Sequence, residues 1–535
     1  MKRPGLTGAL ALLCLMNIVS AAAAESDPNA STPSREERKD AAKDSAKDAA
    51  KDADKDVAKA AVAEQSISKR DSVTVGGRRI AYVVTPGTVT IRDDEGAPIA
   101  SMFYVAYVAD RAKDAPERPI TFLFNGGPGS SSMWLHMGSF APIRVETPTT
   151  STAGPAPFRI VPNSQSLIDR SDLVFIDAVG TGLSRPLGKA KGPDFWGVDP
   201  DIDAFAKAIQ RYLTLNNRWN SPKYLLGESY GTLRAAGLVR TLQERGTQMN
   251  GVILLSSILN YGIRNPGYDQ IYVMYLPSYA AAAWYHERLQ NRPASLEPFL
   301  TEVREYARGP YLAALARGDD LADSERDAVA QQLSRYTGLS TAFLIRNNLR
   351  VDLPRFRKEL LRDQNRTIGR LDSRFLGIDF DAAGEAPEYD PTDAAVSGAY
   401  IGALNDYLFG RLGFRTDLFY RPNFSREIGR AWNQAHVGPG SERPMPVADT
   451  ALDLGLAMRQ NAHLQVLSLN GYYDLATPFS GVEYDLKHLR LDPALRKNIQ
   501  FAYFESGHMV YLRPEALAPL KARLERFYTE SARAD

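Results

Sequence analysis

The chain has 535 residues, 44% of them hydrophobic and 24% charged, so it can bury a large core and is not a disordered protein overall. Lys and Arg total 64 against 63 Asp and Glu, a net charge of +1, and no basic excess points to nucleic acid or an anionic membrane as a partner. The single cysteine, Cys14, excludes a disulfide framework and a Cys-ligated zinc site. At the N-terminus, Lys2 and Arg3 precede an apolar run from Leu6 to about Val19, and Ala22-Ala23-Ala24 fits a small-residue cleavage pattern before Glu25. This predicts a secretory signal peptide over 1–24, hence an exported protein, periplasmic or extracellular. The run is shorter than the roughly 20 residues that a membrane span needs. No other stretch reads as a span, and cleavage would remove Cys14. From 25 to 70, Lys-Asp pairs starting at Lys39, Lys43, Lys47, Lys51 and Lys55 repeat every four residues, separated mainly by Ala. With almost nothing larger than Ala to bury, this segment is expected to be a solvated spacer.

From Asp71 to the C-terminus, short apolar runs alternate with helical segments. Thr88–Arg92 and Pro98–Val108 flank Asp93-Asp94-Glu95-Gly96 and predict a β-hairpin. Ile120–Phe124, Leu173–Ile176, Tyr224–Leu226, Val252–Ser256, Val466–Leu469 and Ile499–Phe504 predict buried strands, with helices such as Ile202–Leu213 and Thr232–Arg245 between them. The pattern is that of an α/β fold, a mostly parallel sheet with helices on both faces, led by an antiparallel hairpin. Between about 263 and 463 the rhythm stops. Helical patterning there predicts a largely helical cap inserted into the core.

Lys223-Tyr-Leu-Leu-Gly-Glu-Ser-Tyr-Gly231 is an apolar strand running directly into Gly-x-Ser-x-Gly, with an amphipathic helix after it. In a nucleophile elbow the serine occupies a sharp strand-to-helix turn, and the flanking glycines give the backbone room. Ser229 is therefore the expected nucleophile. A serine needs a base, and the base needs an orienting carboxylate. His508 follows the strand Ile499–Phe504 and Asp474 follows Val466–Leu469, in the chain order Ser, Asp, His of this fold. Asp485 and His488 read as helical surface, and His463 falls at the opposite end of its strand. The turn Asn125-Gly-Gly-Pro-Gly-Ser-Ser-Ser132 after another strand can aim backbone N–H groups at an oxyanion. No Gly-Lys-Ser/Thr follows it, as a phosphate-binding loop would require.

Together, Asn125-Gly-Gly-Pro-Gly, Phe175-Ile-Asp-Ala-Val-Gly-Thr-Gly-Leu-Ser184, Gly-Glu-Ser-Tyr-Gly231 and Gly507-His-Met resemble the serine carboxypeptidases of the carboxypeptidase Y group. The resemblance frames most of residues 75 to 520, excluding the cap. It implies an α/β-hydrolase fold that releases C-terminal residues from peptides with a free C-terminus, through an acyl-enzyme and without metal or organic cofactor. It implies Ser229, Asp474 and His508 as the triad, the N–H groups of Gly127 and Tyr230 as the oxyanion hole, and Asn125, the Gly126 backbone and Glu228 as the holder of the substrate carboxylate. Two positions depart from the family. Ser130 stands at its cysteine, and Ser139, counted without gaps, at the second glutamate that joins Glu228. The same triad would serve an esterase, amidase or acyltransferase, and a non-catalytic binding protein is a further alternative. One carboxylate in place of a proton-sharing pair predicts an activity optimum less acidic than is usual for the family; a pH profile of kcat/KM on a blocked dipeptide checks it.

Overall fold

The computed structural model describes residues 60–111, 117–265 and 267–532. The expected signal peptide and residues 25–59 of the expected spacer lie outside the described residues.

A ten-stranded sheet organises the chain. Its main strands are β1 (Lys69–Val75), β2 (Arg78–Arg92), β3 (Pro98–Ala109), β4 (Ile120–Phe124), β5 (Asp172–Ile176), β6 (Lys223–Ser229), β7 (Gly251–Ser257), β8 (Gln465–Gly471) and β9 (Ile499–Phe504). They lie in the order β1-β2-β3-β5-β4-β6-β7-β8-β9. The first three strands pair antiparallel, β3 pairs antiparallel with β5, and every junction from β5 to β9 is parallel. The expected hairpin is present but longer than its apolar run, because β2 starts at Arg78. β1 was not foreseen, and with it the ordered chain begins before Asp71. Glu64, assigned to the spacer, accepts two hydrogen bonds from Arg211 at 2.8 Å and one from the Thr90 N–H at 3.1 Å.

The parallel strands read as continuous apolar runs because both faces of the sheet are covered. Ile120, Phe122 and Phe124 of β4 enter one core layer while Leu123 enters the other, and β5, β6 and β7 alternate in the same way. Helices α1 (Val198–Leu215), α2 (Tyr230–Glu244) and α3 (Ala451–Gln460) contribute to one layer. The C-terminal helix α4 (Pro514–Ser531) and the stretch from Met133 to Val145 contribute to the other. Because α3 belongs to the core, the α/β architecture resumes at Ala451, ahead of the expected end of the insertion near 463.

The insertion is largely helical, as expected, with Gln270–Tyr285, Leu296–Tyr306, Asp323–Thr337 and Pro391–Asn405 as its longest helices. The first three form a third apolar cluster that also takes in Tyr472, Tyr473 and Leu475 beside the expected acid. The fourth joins the sheet's own core through Val396, Ala399 and Tyr400.

One buried ion pair ties the helices to the sheet. Arg234 of α2 donates to Asp201 of α1 at 2.7 Å and to the Asn125 carbonyl at 2.7 Å, and its guanidinium lies 4.2 Å from the Phe205 ring centre. The Tyr230 hydroxyl donates to the same carboxylate at 3.0 Å. Removing one partner leaves the other charge buried and unpaired. Arg234→Ala and Asp201→Ala are each expected to lower stability by about 3–5 kcal/mol, with the double variant losing less than their sum, measured by denaturant unfolding.

Candidate active site

Three glycines set the geometry around Ser229. A Cβ on Gly227 would lie 2.1 Å from the Gly231 carbonyl oxygen, and one on Gly231 would lie 2.7 Å from that of Phe124. A Cβ on Gly126 would lie 2.5 Å from the Tyr230 nitrogen. No L side chain fits at these points, so the end of β6, the start of α2 and the turn after β4 meet backbone to backbone. Between the two elbow glycines Ser229 takes φ 62° and ψ −131°, a conformation that costs a non-glycine residue on the order of 1–3 kcal/mol. The strain lifts the half-buried serine off the sheet at the N-terminus of α2.

Tyr230 is the first residue of α2, so its N–H has no acceptor within the helix. Gly127 is exposed in the adjoining turn at φ 106°. The turn is held by its serines: the Ser132 N–H donates to Asp177 at 2.8 Å and its hydroxyl to the Ile176 carbonyl at 2.5 Å. Asp177 belongs to the block Phe175–Ser184, whose physical task is thereby to anchor the glycine turn.

Asp474 and His508 meet. His508 Nδ1 lies 2.8 Å from Asp474 Oδ2, and both residues are buried. The Asp474 carboxylate also accepts from the N–H groups of Ala476 (2.7 Å) and Thr477 (2.9 Å) and from the Thr477 hydroxyl (2.6 Å). With Asp474 facing Nδ1, the proton sits there and Nε2 keeps its lone pair. Burial works against the imidazolium, but the charges of Asp474 and Glu228 outweigh it and hold the His508 pKa above the ordinary value. Ser256 Oγ donates to the His508 carbonyl at 2.5 Å, and the next residue, Ser257, is the register partner of Ser229. The loop bearing the imidazole is therefore tied down beside the elbow. No hydrogen bond joins Ser229 Oγ to His508 among the described residues; such contacts tighten when substrate binds.

A segment of the insertion braces this pair. The Leu371 carbonyl accepts from the His508 N–H at 2.7 Å, the Arg370 carbonyl from the Leu475 N–H at 3.1 Å, and the Ser373 N–H donates to the Tyr473 carbonyl at 3.0 Å. Buried Arg374 and Asp372 form an ion pair at 2.6 Å behind it. Thr477, Ser256 and this strap were not foreseen from the sequence.

Glu228 and Asn125 are both buried beside the elbow. Burial raises the Glu228 pKa to about 7, against the opposing pull of His508 and a hydrogen bond from Tyr511. The Tyr511 hydroxyl donates to Glu228 at 2.8 Å. Its ring packs where a Cβ on Gly138 would stand 2.6 Å away. Ser139 has no part in this group, since its hydroxyl donates to the Leu135 carbonyl at 2.5 Å. The partner of Glu228 is thus a phenol rather than a second acid. Its one sequence signal is a tyrosine three residues after the expected base, brought back by a 3-10 turn at Val510–Leu512.

His136, His463, His488 and the rival acid separate clearly. His136 is buried, bonded to the Tyr107 hydroxyl at 2.7 Å and stacked on Phe175. Burial lowers its pKa to about 3, so it packs beneath the turn as a neutral ring. His463 and His488 are exposed. Asp485, expected at the surface, is instead buried against the backbone of Leu259 and Asn260, and burial pushes its pKa up to about 8.

Residues 86–310 match the family model for serine carboxypeptidase. Over 192 residues the chain is 29% identical to the retinoid-inducible serine carboxypeptidase of Rattus norvegicus, covering 32% of this chain and 38% of that one. Serine carboxypeptidase-like 45 of Arabidopsis thaliana is 25% identical over 283 residues, covering 51% and 55%. The matches thus span about a third to a half of these relatives' lengths. The prohormone-processing carboxypeptidase Kex1 of Saccharomyces cerevisiae superposes with a TM-score of 0.50 at 14% identity, covering 84% of this chain and 92% of that one, a likeness of fold. Over residues 86–310, then, this chain is similar to the serine carboxypeptidases, and its fold is that of the α/β-hydrolases.

Proposed function

We propose that the protein is a serine-type carboxypeptidase that removes C-terminal residues from peptides. Ser229 attacks the last peptide carbonyl, and His508 Nε2 takes the hydroxyl proton and returns it to the leaving amine. Asp474 holds the tautomer and stabilises the imidazolium. The N–H groups of Gly127 and Tyr230 face the oxyanion. Water then reverses these steps to free the acyl group. Asn125, the Gly126 backbone and Glu228 hold the terminal carboxylate. We also assign residues 1–24 to export, 25 to about 59 to a spacer, and the rest to one catalytic unit with its cap. No helix among the described residues is long and apolar enough to cross a membrane.

The observation that carries the exopeptidase reading is Glu228, a buried carboxyl beside the nucleophile with a pKa near 7. An esterase has no use for an acid there. A carboxypeptidase does, because a neutral carboxyl donates a hydrogen bond to a substrate carboxylate that a charged one would repel. The phenol at Tyr511, in place of a second acid, favours the esterase or amidase reading, and a matched pair of free and amidated peptides separates the two. Strong preference for the free acid supports the carboxypeptidase; equal rates refute it.

The pH dependence follows from the two groups. Glu228 is neutral below about 7, so KM for free-acid peptides is expected to rise as pH climbs through that value. His508 acts in its neutral form and its pKa is raised, so kcat is expected to fall as pH drops below it. The optimum then lies near neutral rather than in acid. Glu228→Gln keeps a hydrogen-bond donor and should abolish the alkaline rise in KM. A wild-type KM that stays flat between about pH 6 and 9 would count against the assignment. Ser229→Ala should lower kcat by on the order of 10^4 or more with the fold intact, and Ser229 should be the residue labelled by a fluorophosphonate.

A further inference from the structure

Two arginines stand on the turn that carries Asp474. Arg370 reaches it through its carbonyl, which accepts from the Leu475 N–H at 3.1 Å. Arg264, in the loop after β7, reaches it through its side chain, which donates to the Ala476 carbonyl at 3.0 Å. The residue after Arg370 accepts the His508 N–H, so Arg370 adjoins both the acid and the base. Arg370 is exposed and Arg264 half-buried. Neither guanidinium forms an ion pair among the described residues, and Arg370 makes no side-chain hydrogen bond there.

The carboxylates around them are committed elsewhere. Asp390 accepts from the N–H groups of Arg370, Leu371 and Thr392 at 3.0–3.1 Å. Asp393 accepts from the Ser397 hydroxyl at 2.7 Å. Asp485, which lies near Arg264, is buried, and burial pushes its pKa up to about 8, so it offers Arg264 little negative charge at neutral pH. Both guanidinia act on the phenols of Tyr261 and Tyr275, and Arg370 acts on His508 itself. The charges of both arginines therefore bear on one region beside the reacting groups. A solvated arginine usually finds a carboxylate; two left without one beside a nucleophile form a field for an anion that arrives from outside.

We propose that Arg370, assisted by Arg264, selects peptides with an aspartate or glutamate side chain next to the bond that is cut. This rests on the carboxypeptidase reading and names the substrate class for it. The terminal carboxylate itself goes to Asn125 and Glu228, so the arginines act on a second negative charge, which a neutral isostere lacks.

The test uses two series of N-blocked dipeptides, with Glu or Gln at the last or the penultimate position and a common apolar residue at the other. At low salt the wild type should favour Glu over Gln by about 5- to 10-fold in kcat/KM at one of the two positions, and the ratio should fall toward one at about 1 M salt. Arg370→Gln should bring the ratio below about twofold, with Arg264→Gln causing a smaller loss. Arg370→Glu should turn the preference toward Lys. These exposed or half-exposed side chains leave the core untouched, and circular dichroism and fluorophosphonate labelling of Ser229 confirm a folded, reactive enzyme. A wild type that cleaves Glu and Gln peptides equally, or a preference that survives Arg370→Gln, overturns this inference alone. An enzyme that cleaves no peptide of either series overturns the carboxypeptidase reading and this inference with it.

Discussion

Gly126, Gly227 and Gly231 allow the turn after β4, the end of β6 and the start of α2 to approach at distances that any side chain would prevent. That three-way backbone contact is the constraint on which the site depends. It forces Ser229 into a positive φ, leaves the Tyr230 N–H at a helix start, and sets the Gly126–Gly127 turn against it. It also buries Glu228 and Asn125 on either side. Strain of about 1–3 kcal/mol at one serine is sustained because Arg234, Asp201 and the two apolar layers hold all three segments from behind.

Electrostatics at the site turns on how each buried acid is satisfied. Asp474 has four donors within 2.9 Å, counting the imidazole, and can stabilise a charged His508. For Glu228, burial outweighs the pull of His508 and the hydrogen bonds of Tyr511 and Asn125, so its pKa stays raised, at about 7. Two carboxyl groups in one site thus differ in how they are satisfied, one by a full set of donors and the imidazole, the other left with a pKa raised by burial. The insertion reaches this pair, since the strap around Leu371 is hydrogen-bonded to the backbone on both sides of Asp474 and at His508.

Much of this was legible in the sequence, for a local reason. Ser229, Gly227 and Gly231 fall within five residues, and a strand-to-helix elbow has a short signature. Asp474 and His508 were found from chain order and from the strands before them, and the structure brings them into contact. The parallel strands were visible because burial on both faces makes them uniformly apolar. β1 was missed because its exposed half is charged, and the docking of Glu64 because its partner Arg211 is remote in sequence. Tyr511, Thr477 and the strap escaped because nothing local marks a side chain that acts on a distant partner. Asp485 was misjudged because a charged residue on a helix is ordinarily solvated.

Alone, then, the amino-acid sequence determined the fold class, the elbow, the glycine turn and the order of the acid and base, because each is written in short-range spacing and hydrophobic period. Tertiary structure alone decided which group stands beside Glu228, what holds the Asp474 and His508 loops, and where the free charge of Arg370 comes to lie. Those depend on segments more than a hundred residues apart being pressed together, and on the burial that then resets each acid's affinity for its proton.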